Sequence, residues 1–432
     1  MSSEHPNNGT GAGANGANGA NGANGAGFEW TAPLQRCALL TGAIGLGVWL
    51  GAALLNSSLS EGGARQFFLS YLVAFVFWLS LPVGSMALIG IHYITGASWG
   101  MLWRRLFEAS TRTFPFVAAS FIPIAISLFI MDGKASPYEW VRPTAELSHG
   151  SDAAAEELSH KFHDWLNKEF FLIRIAIYFG IWYLLCSLVN AWSLKGERNN
   201  DASARKKSEN LAGPMVMLFA IVNMFAATDL VMSLELHWAS TMFPLIYSIN
   251  QLLTNITFCV ALFMFISTMP PVSNVMRPKF QIDMGTILLA LTMVWSYMTF
   301  SQFMLIWAAN LPEEIPFYLK RIRGGWQYVA ITLVLFHFAC PFLLLLFRDV
   351  KLHKKRLQCV ALGIMTMCAL DVIWWIEPIV DRDGLGLFLI MDFAAIAGFG
   401  GLWFWAFLNQ VKKAPLLPTH EIHTLPGGEH GH

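Results

Sequence analysis

The chain alternates long apolar runs with short polar stretches, and ten of the runs approach the roughly 20 residues a helix needs to cross the hydrocarbon core of a bilayer. They fall at about 34-55, 67-91, 114-131, 170-192, 212-234, 244-268, 284-309, 327-347, 358-377 and 386-408. The pattern predicts an all-α polytopic membrane protein with about ten transmembrane helices spread over residues 31-410. On either side lie a Gly/Ala/Asn-rich lead (1-30), which repeats GAN without proline and predicts a flexible, disordered segment, and a short tail (411-432).

Composition agrees. Of the 432 residues 55% are hydrophobic and 13% charged, against roughly a quarter charged in soluble domains. Lys+Arg and Asp+Glu both total 28, and this balance argues against nucleic acid as a partner. The six cysteines form no CxxC or CxxCH, so no disulfide, metal or covalently held haem is expected of this chain. His337 is the one central intramembrane histidine, which leaves haem b without a second axial ligand.

Charge distribution sets orientation. With the spans alternating, 18 of the 28 Lys/Arg fall on the side of the termini and nine on the other, with Arg174 inside a span. The richer side is predicted to be cytoplasmic, giving an N-in/C-in topology. MLWRRLFEASTR, SLKGERNNDASARKKSEN and RDVKLHKKR all fall there as loops. The longest loop, 132-169, is then periplasmic, and SDAAAEELSHKFHDWLNKEF within it has the spacing of a surface helix.

Several spans carry polar groups. Asp229, Asp371 and Asp392 are each predicted about 8 to 10 Å below the outer boundary on three different helices. Asp229, Ser233 and His237 at i, i+4, i+8 would form one stripe rising past Glu235 to the outer surface, and His337 lies deeper. Ser248, Gln251 and Asn255 form a second stripe, and Ser296, Thr299 and Gln302 a third. Intramembrane acids normally face a bundle interior and often serve proton or substrate routes; the plainer alternative is hydrogen-bonded helix packing. Asp229, Ser233, Glu235, His237, His337, Asp371 and Asp392 are therefore proton-transfer candidates. Arg174 can snorkel or pair with one of these acids. In the outer segment LPEEIPFYLKRIRGG, Glu313, Glu314, Arg321 and Arg323 are candidates for contact with a partner subunit.

FAATDLVMSLELHWAST, SQFMLIWAANLPEEIPFYLKRIRGGWQYV, HFACPFLLLLFRDVKLHKKRL, DVIWWIEP and SYLVAFVFWLSLPVGSMALIGIHYITGASWGMLWRRLFEA, in that register over about 67-408, resemble the ActF family of NrfD-like integral membrane subunits of alternative complex III. The resemblance implies two four-helix bundles with a flanking helix on each side. It further implies a bacterial inner (cytoplasmic) membrane location and a role in a quinol:electron-acceptor oxidoreductase. Partners would be the NrfD-like subunit ActC, haem c subunits and an iron-sulfur subunit, which carry the redox centres, together with membrane lipids. Quinone or quinol contact and proton movement are the roles it implies for the chain itself. Glu377 departs from the pattern, standing where an apolar residue is expected. Two other classes remain open on the residues alone: a stand-alone proton-coupled secondary transporter and a purely structural membrane anchor.

Overall fold

The computed structural model describes residues 28-59, 63-96, 98-142, 165-199, 201-236, 238-270, 272-312, 314-380 and 386-416. The lead, His237, Glu313, most of the segment read as a surface helix and nearly all of the tail lie outside the described residues. Nine described helices are long and apolar enough to cross a membrane, and a bent pair makes ten when it is counted as one broken span. The protein is thus an all-α polytopic membrane protein, with no strand among the described residues.

The spans are α1 (Thr31-Leu59), α2 (Gly63-Thr95), the broken set α3 (Ser98-Thr111), α4 (Phe114-Ser120) and α5 (Ile122-Ser127), then α6 (Lys168-Asn199), α7 (Ala202-Leu230), α8 (Phe243-Ile266) and α9 (Pro278-Ala309). A short α10 (Ile315-Arg321) precedes α11 (Trp326-Thr332), which runs through a π-helical turn, Leu333-Ala339, into α12 (Cys340-Leu346). A short α13 (Arg348-Leu352) leads to α14 (Lys354-Ile376) and finally α15 (Leu387-Val411). Several helices extend past their apolar runs. In α7 the extension begins at Asp201, whose carboxylate caps the amide of Ser203 at 2.9 Å.

The third span departs from expectation. MLWRRLFEASTR was expected as a cytoplasmic loop; it lies instead mostly in α3, with Trp103 through Ser110 buried. Glu108 makes this tolerable: its carboxylate receives Arg105 at 2.6 Å, Arg112 at 3.4 Å and the Ser193 hydroxyl at 2.5 Å, with Arg104 3.4 Å away. The bend of 40° follows, where Pro115, at the start of α4, withholds the amide a continuous helix would need; Pro123 does the same farther on, where α5 begins.

Helix packing gives two four-helix bundles, α2 to α7 and α8 to α14, joined where α2 meets α8. Along α2 an 18-residue apolar stretch is wholly buried, as suits a helix hydrophobic all round. Gly84 lets it approach α8; a Cβ there would lie 2.6 Å from the Gln251 carbonyl oxygen. The flanking helices do not lie one on each side. α1 and α15 pack on each other and both touch α2, because Gly42, Gly45, Gly398 and Gly401 bring their backbones together; a Cβ on Gly401 would sit 2.3 Å from the Gly42 nitrogen. Gln35 donates to Asn409 at 2.8 Å and accepts from Lys412 at 2.6 Å at the end of this pair.

Candidate functional site

The second bundle closes around Asp371. On α14 the buried positions Leu357, Ala361, Ile364, Cys368, Asp371 and Trp375 recur at four and three residues, the spacing of a core-facing stripe, so Asp371 occupies a place where an apolar residue would be usual. It is 2% exposed. Its Oδ2 accepts the side-chain N–H of Asn250 from α8 at 2.9 Å and the indole N–H of Trp295 from α9 at 2.9 Å. Asn250 is itself fixed by Thr254, whose hydroxyl lies 3.2 Å from Asn250 Oδ1.

His337 completes the cluster from the fourth side. Its ring stacks on Trp295 with centroids 3.8 Å apart, and its Nε2 lies 3.6 Å from Cys368 Sγ, one turn before Asp371. His337 is fully buried, and its Nδ1 has no hydrogen-bond partner. It is carried by the π-helical turn. Pro341, four residues on, has no N–H to give the His337 carbonyl and its ring would crowd that oxygen in a regular helix, which accounts for the wider turn.

Asp229 lies in the other bundle under different constraints. Its Oδ2 accepts from Arg174 Nε at 2.7 Å and from the Tyr178 hydroxyl at 2.7 Å, while Oδ1 accepts from Arg174 Nη2 at 2.8 Å and Trp165 Nε1 at 3.1 Å. Arg174 also donates to the Trp165 carbonyl and lies 4.2 Å over the Trp165 ring. Both carboxylate oxygens are thus filled by a bidentate ion pair. The stripe expected above Asp229 does not continue as α-helix: α7 ends at Leu230, and Ser233 sits in a 3-10 turn, Met232-Leu234, donating back to the Asp229 carbonyl at 2.7 Å.

Glu235 and Arg321 also proved internal. Arg321 is fully buried. It donates to Glu235 at 2.9 Å, to the carbonyls of Phe317 at 2.7 Å, Trp374 at 3.0 Å and Trp375 at 2.7 Å, and lies 3.5 Å over the Phe317 ring. Burial lowers its pKa and Glu235 opposes that shift. Arg321 is therefore a strut that ties α10 to the end of α14 and cannot serve as a partner contact, because no face of it reaches the surface. Arg323 is exposed and Glu314 half-buried.

The three acids do not form one site. Asp229 and Asp371 belong to separate bundles and share no hydrogen-bond donor, while Asp392 is buried on α15, one turn before Ile396, whose carbonyl takes the Trp78 indole N–H at 2.9 Å. Glu377, the unexpected acid, is buried and accepts from Gln66 of α2 at 3.0 Å, linking the two bundles. Of the stripe on α8, Ser248 receives Asn223 at 2.6 Å and Asn255 gives its N–H groups to Leu81 O and Ser85 at 2.6 Å.

Trp295, Asn250 and Glu108 were not anticipated. Asn250 stands four residues before Thr254, a spacing that marks a second polar face on α8. Chemically, Asp371 can gain or lose a proton without stranding a cation, whereas protonating Asp229 would leave Arg174 buried without its counter-charge. Set against known proteins, the chain matches no family model and no curated protein.

Proposed function

We propose that this chain is a membrane subunit of a respiratory quinol-oxidising complex of the alternative complex III type, and that Asp371 with His337 is its proton-transfer pair. The observation that carries the reading is the donor set at Asp371: two neutral N–H groups, one of them on the ring that stacks against His337. A carboxyl inside a membrane bundle with only neutral donors suits reversible protonation. Asn250 and Trp295 orient it, and His337, with an unpartnered Nδ1, offers a second protonatable atom beside the same indole. The quoted motifs supply the rest of the reading: residence in a bacterial inner membrane, N-in/C-in, beside ActC, haem c and iron-sulfur subunits that hold the redox centres, with quinone or quinol met within the membrane.

A tagged copy of the chain, purified from its native membrane, is expected to bring a multihaem cytochrome and an iron-sulfur subunit with it. Asp371→Asn is expected to leave that assembly and its haem content intact while slowing quinol turnover about a hundredfold. A haem-free, solitary protein would overturn the assignment, and an unchanged rate in the variant would return Asp371 to helix packing. The broken third span favours one other reading, a proton-coupled transporter, since such proteins use interrupted helices; the solitary outcome would support it.

A further inference from the structure

A cleft of about 460 Å³ opens between α7, the start of α8 and the end of α9, reaching Glu314 at the entry to α10. Its size is that of a small-molecule site. Its long wall is apolar and outward-facing: Met224 and Phe225 on α7 and Leu305 on α9 are all exposed, so the cleft is entered from between membrane spans.

Two acceptors stand among the polar groups of the lining, Gln302 and Glu314. Gln302 is 3% exposed, lines the cleft, and its Oε1 has no hydrogen-bond partner. An unsatisfied buried carbonyl of this kind is unfavourable unless something donates to it. Glu314 lines the same cleft and makes no ion pair among the described residues, while Lys320 and Arg321 are both taken by Glu235. Ser240, a further polar group of the lining, accepts the amides of Met242 at 3.2 Å and Phe243 at 3.3 Å, which leaves its hydroxyl hydrogen to donate.

We infer that this cleft binds one phospholipid with a primary-ammonium head, its ammonium between Gln302 Oε1 and the Glu314 carboxylate and an acyl chain along Met224, Phe225 and Leu305. The charges select this class. An anionic head meets Glu314 with no compensating cation among the described residues of the lining. A neutral hydroxylated ring satisfies Gln302 but leaves the carboxylate unbalanced. An ammonium satisfies both, and the Ser240 hydroxyl is placed to donate to the phosphate or ester oxygens behind it. The inference is independent of the proton-transfer reading.

The test is native mass spectrometry of the full-length chain in detergent with equimolar phosphatidylethanolamine and phosphatidylglycerol. One phosphatidylethanolamine should be retained preferentially. Glu314→Gln, at a half-buried position that leaves the fold intact, should weaken retention about tenfold, and Leu305→Trp should block it by filling the chain's path. Equal retention of phosphatidylglycerol, displacement by a hydroquinone, or unaltered retention in both variants would each overturn the inference.

Discussion

The guanidinium of Arg174 and the carboxylate of Asp229 meet at two points, 2.7 and 2.8 Å, across the α6-α7 interface with both side chains buried. An acid held this way contributes as half of a pair. Asp229→Asn leaves Arg174 buried and uncompensated, and should destabilise the protein by about 3 to 5 kcal/mol. Replacing both members with apolar residues, Arg174→Met with Asp229→Leu, should recover most of that loss. Thermal unfolding of the purified chain in detergent measures both; a single variant that unfolds no earlier than the parent would remove the clamp from the account.

Arg321→Lys tests the strut at the C-terminal end of α14. Lysine keeps the charge but has no planar fork, so it cannot serve Glu235 and the carbonyls of Phe317, Trp374 and Trp375 together. A loss of about 2 to 3 kcal/mol is expected, with faster proteolysis within Ile315-Arg321. Arg323→Lys, at an exposed position, should leave both unchanged.

The α1-α15 contact makes a sharp comparison between glycines. In Gly401→Ala the new methyl meets Gly42 N at 2.3 Å and Ala38 O at 2.4 Å, which are backbone atoms that cannot swing aside. A loss of about 1 to 3 kcal/mol should follow. Gly47→Ala, on α1, meets nothing within 4 Å and should be neutral or slightly stabilising, since alanine is the better helix former. Equal melting temperatures for the two variants would contradict the close approach.

Orientation can be read with reporter fusions. A fusion after Lys413 or within 196-208 should report cytoplasm, and one within 135-165 periplasm. Reversal at both positions would invert the charge argument and place Asp229 and the Glu235-Arg321 strut on the inner side.

Hydropathy located nearly every span because it sums a property that each residue carries alone. It failed at α3 for the same reason: Arg104, Arg105 and Glu108 count as polar one by one, yet Glu108 is buried among arginines that neutralise it. Depth arguments likewise singled out Asp229 and Asp371 but could not tell a clamped acid from one held by neutral donors, because the distinction rests on Arg174 and Trp295, far away in sequence. Trp295 carried no signal of its own among 17 tryptophans. The π-helical turn under His337 was foreshadowed only by Pro341, a residue that more often merely begins a new helical turn. Arg321 misled in the opposite direction, since a loop crowded with charges gives no hint that one of them is drawn inside.

Because α1 finds its principal partner in α15, the membrane domain is a closed loop whose seam forms only once α15 has been made. During insertion α1 must wait in lipid while every intervening span is threaded, so a product truncated before α15 displays an unmated glycine face and cannot mature. The same seam brings the two ends of the membrane domain together at Gln35, Asn409 and Lys412. Joining those ends with a linker and opening the chain at an exposed loop should therefore yield a circular permutant that keeps both bundles.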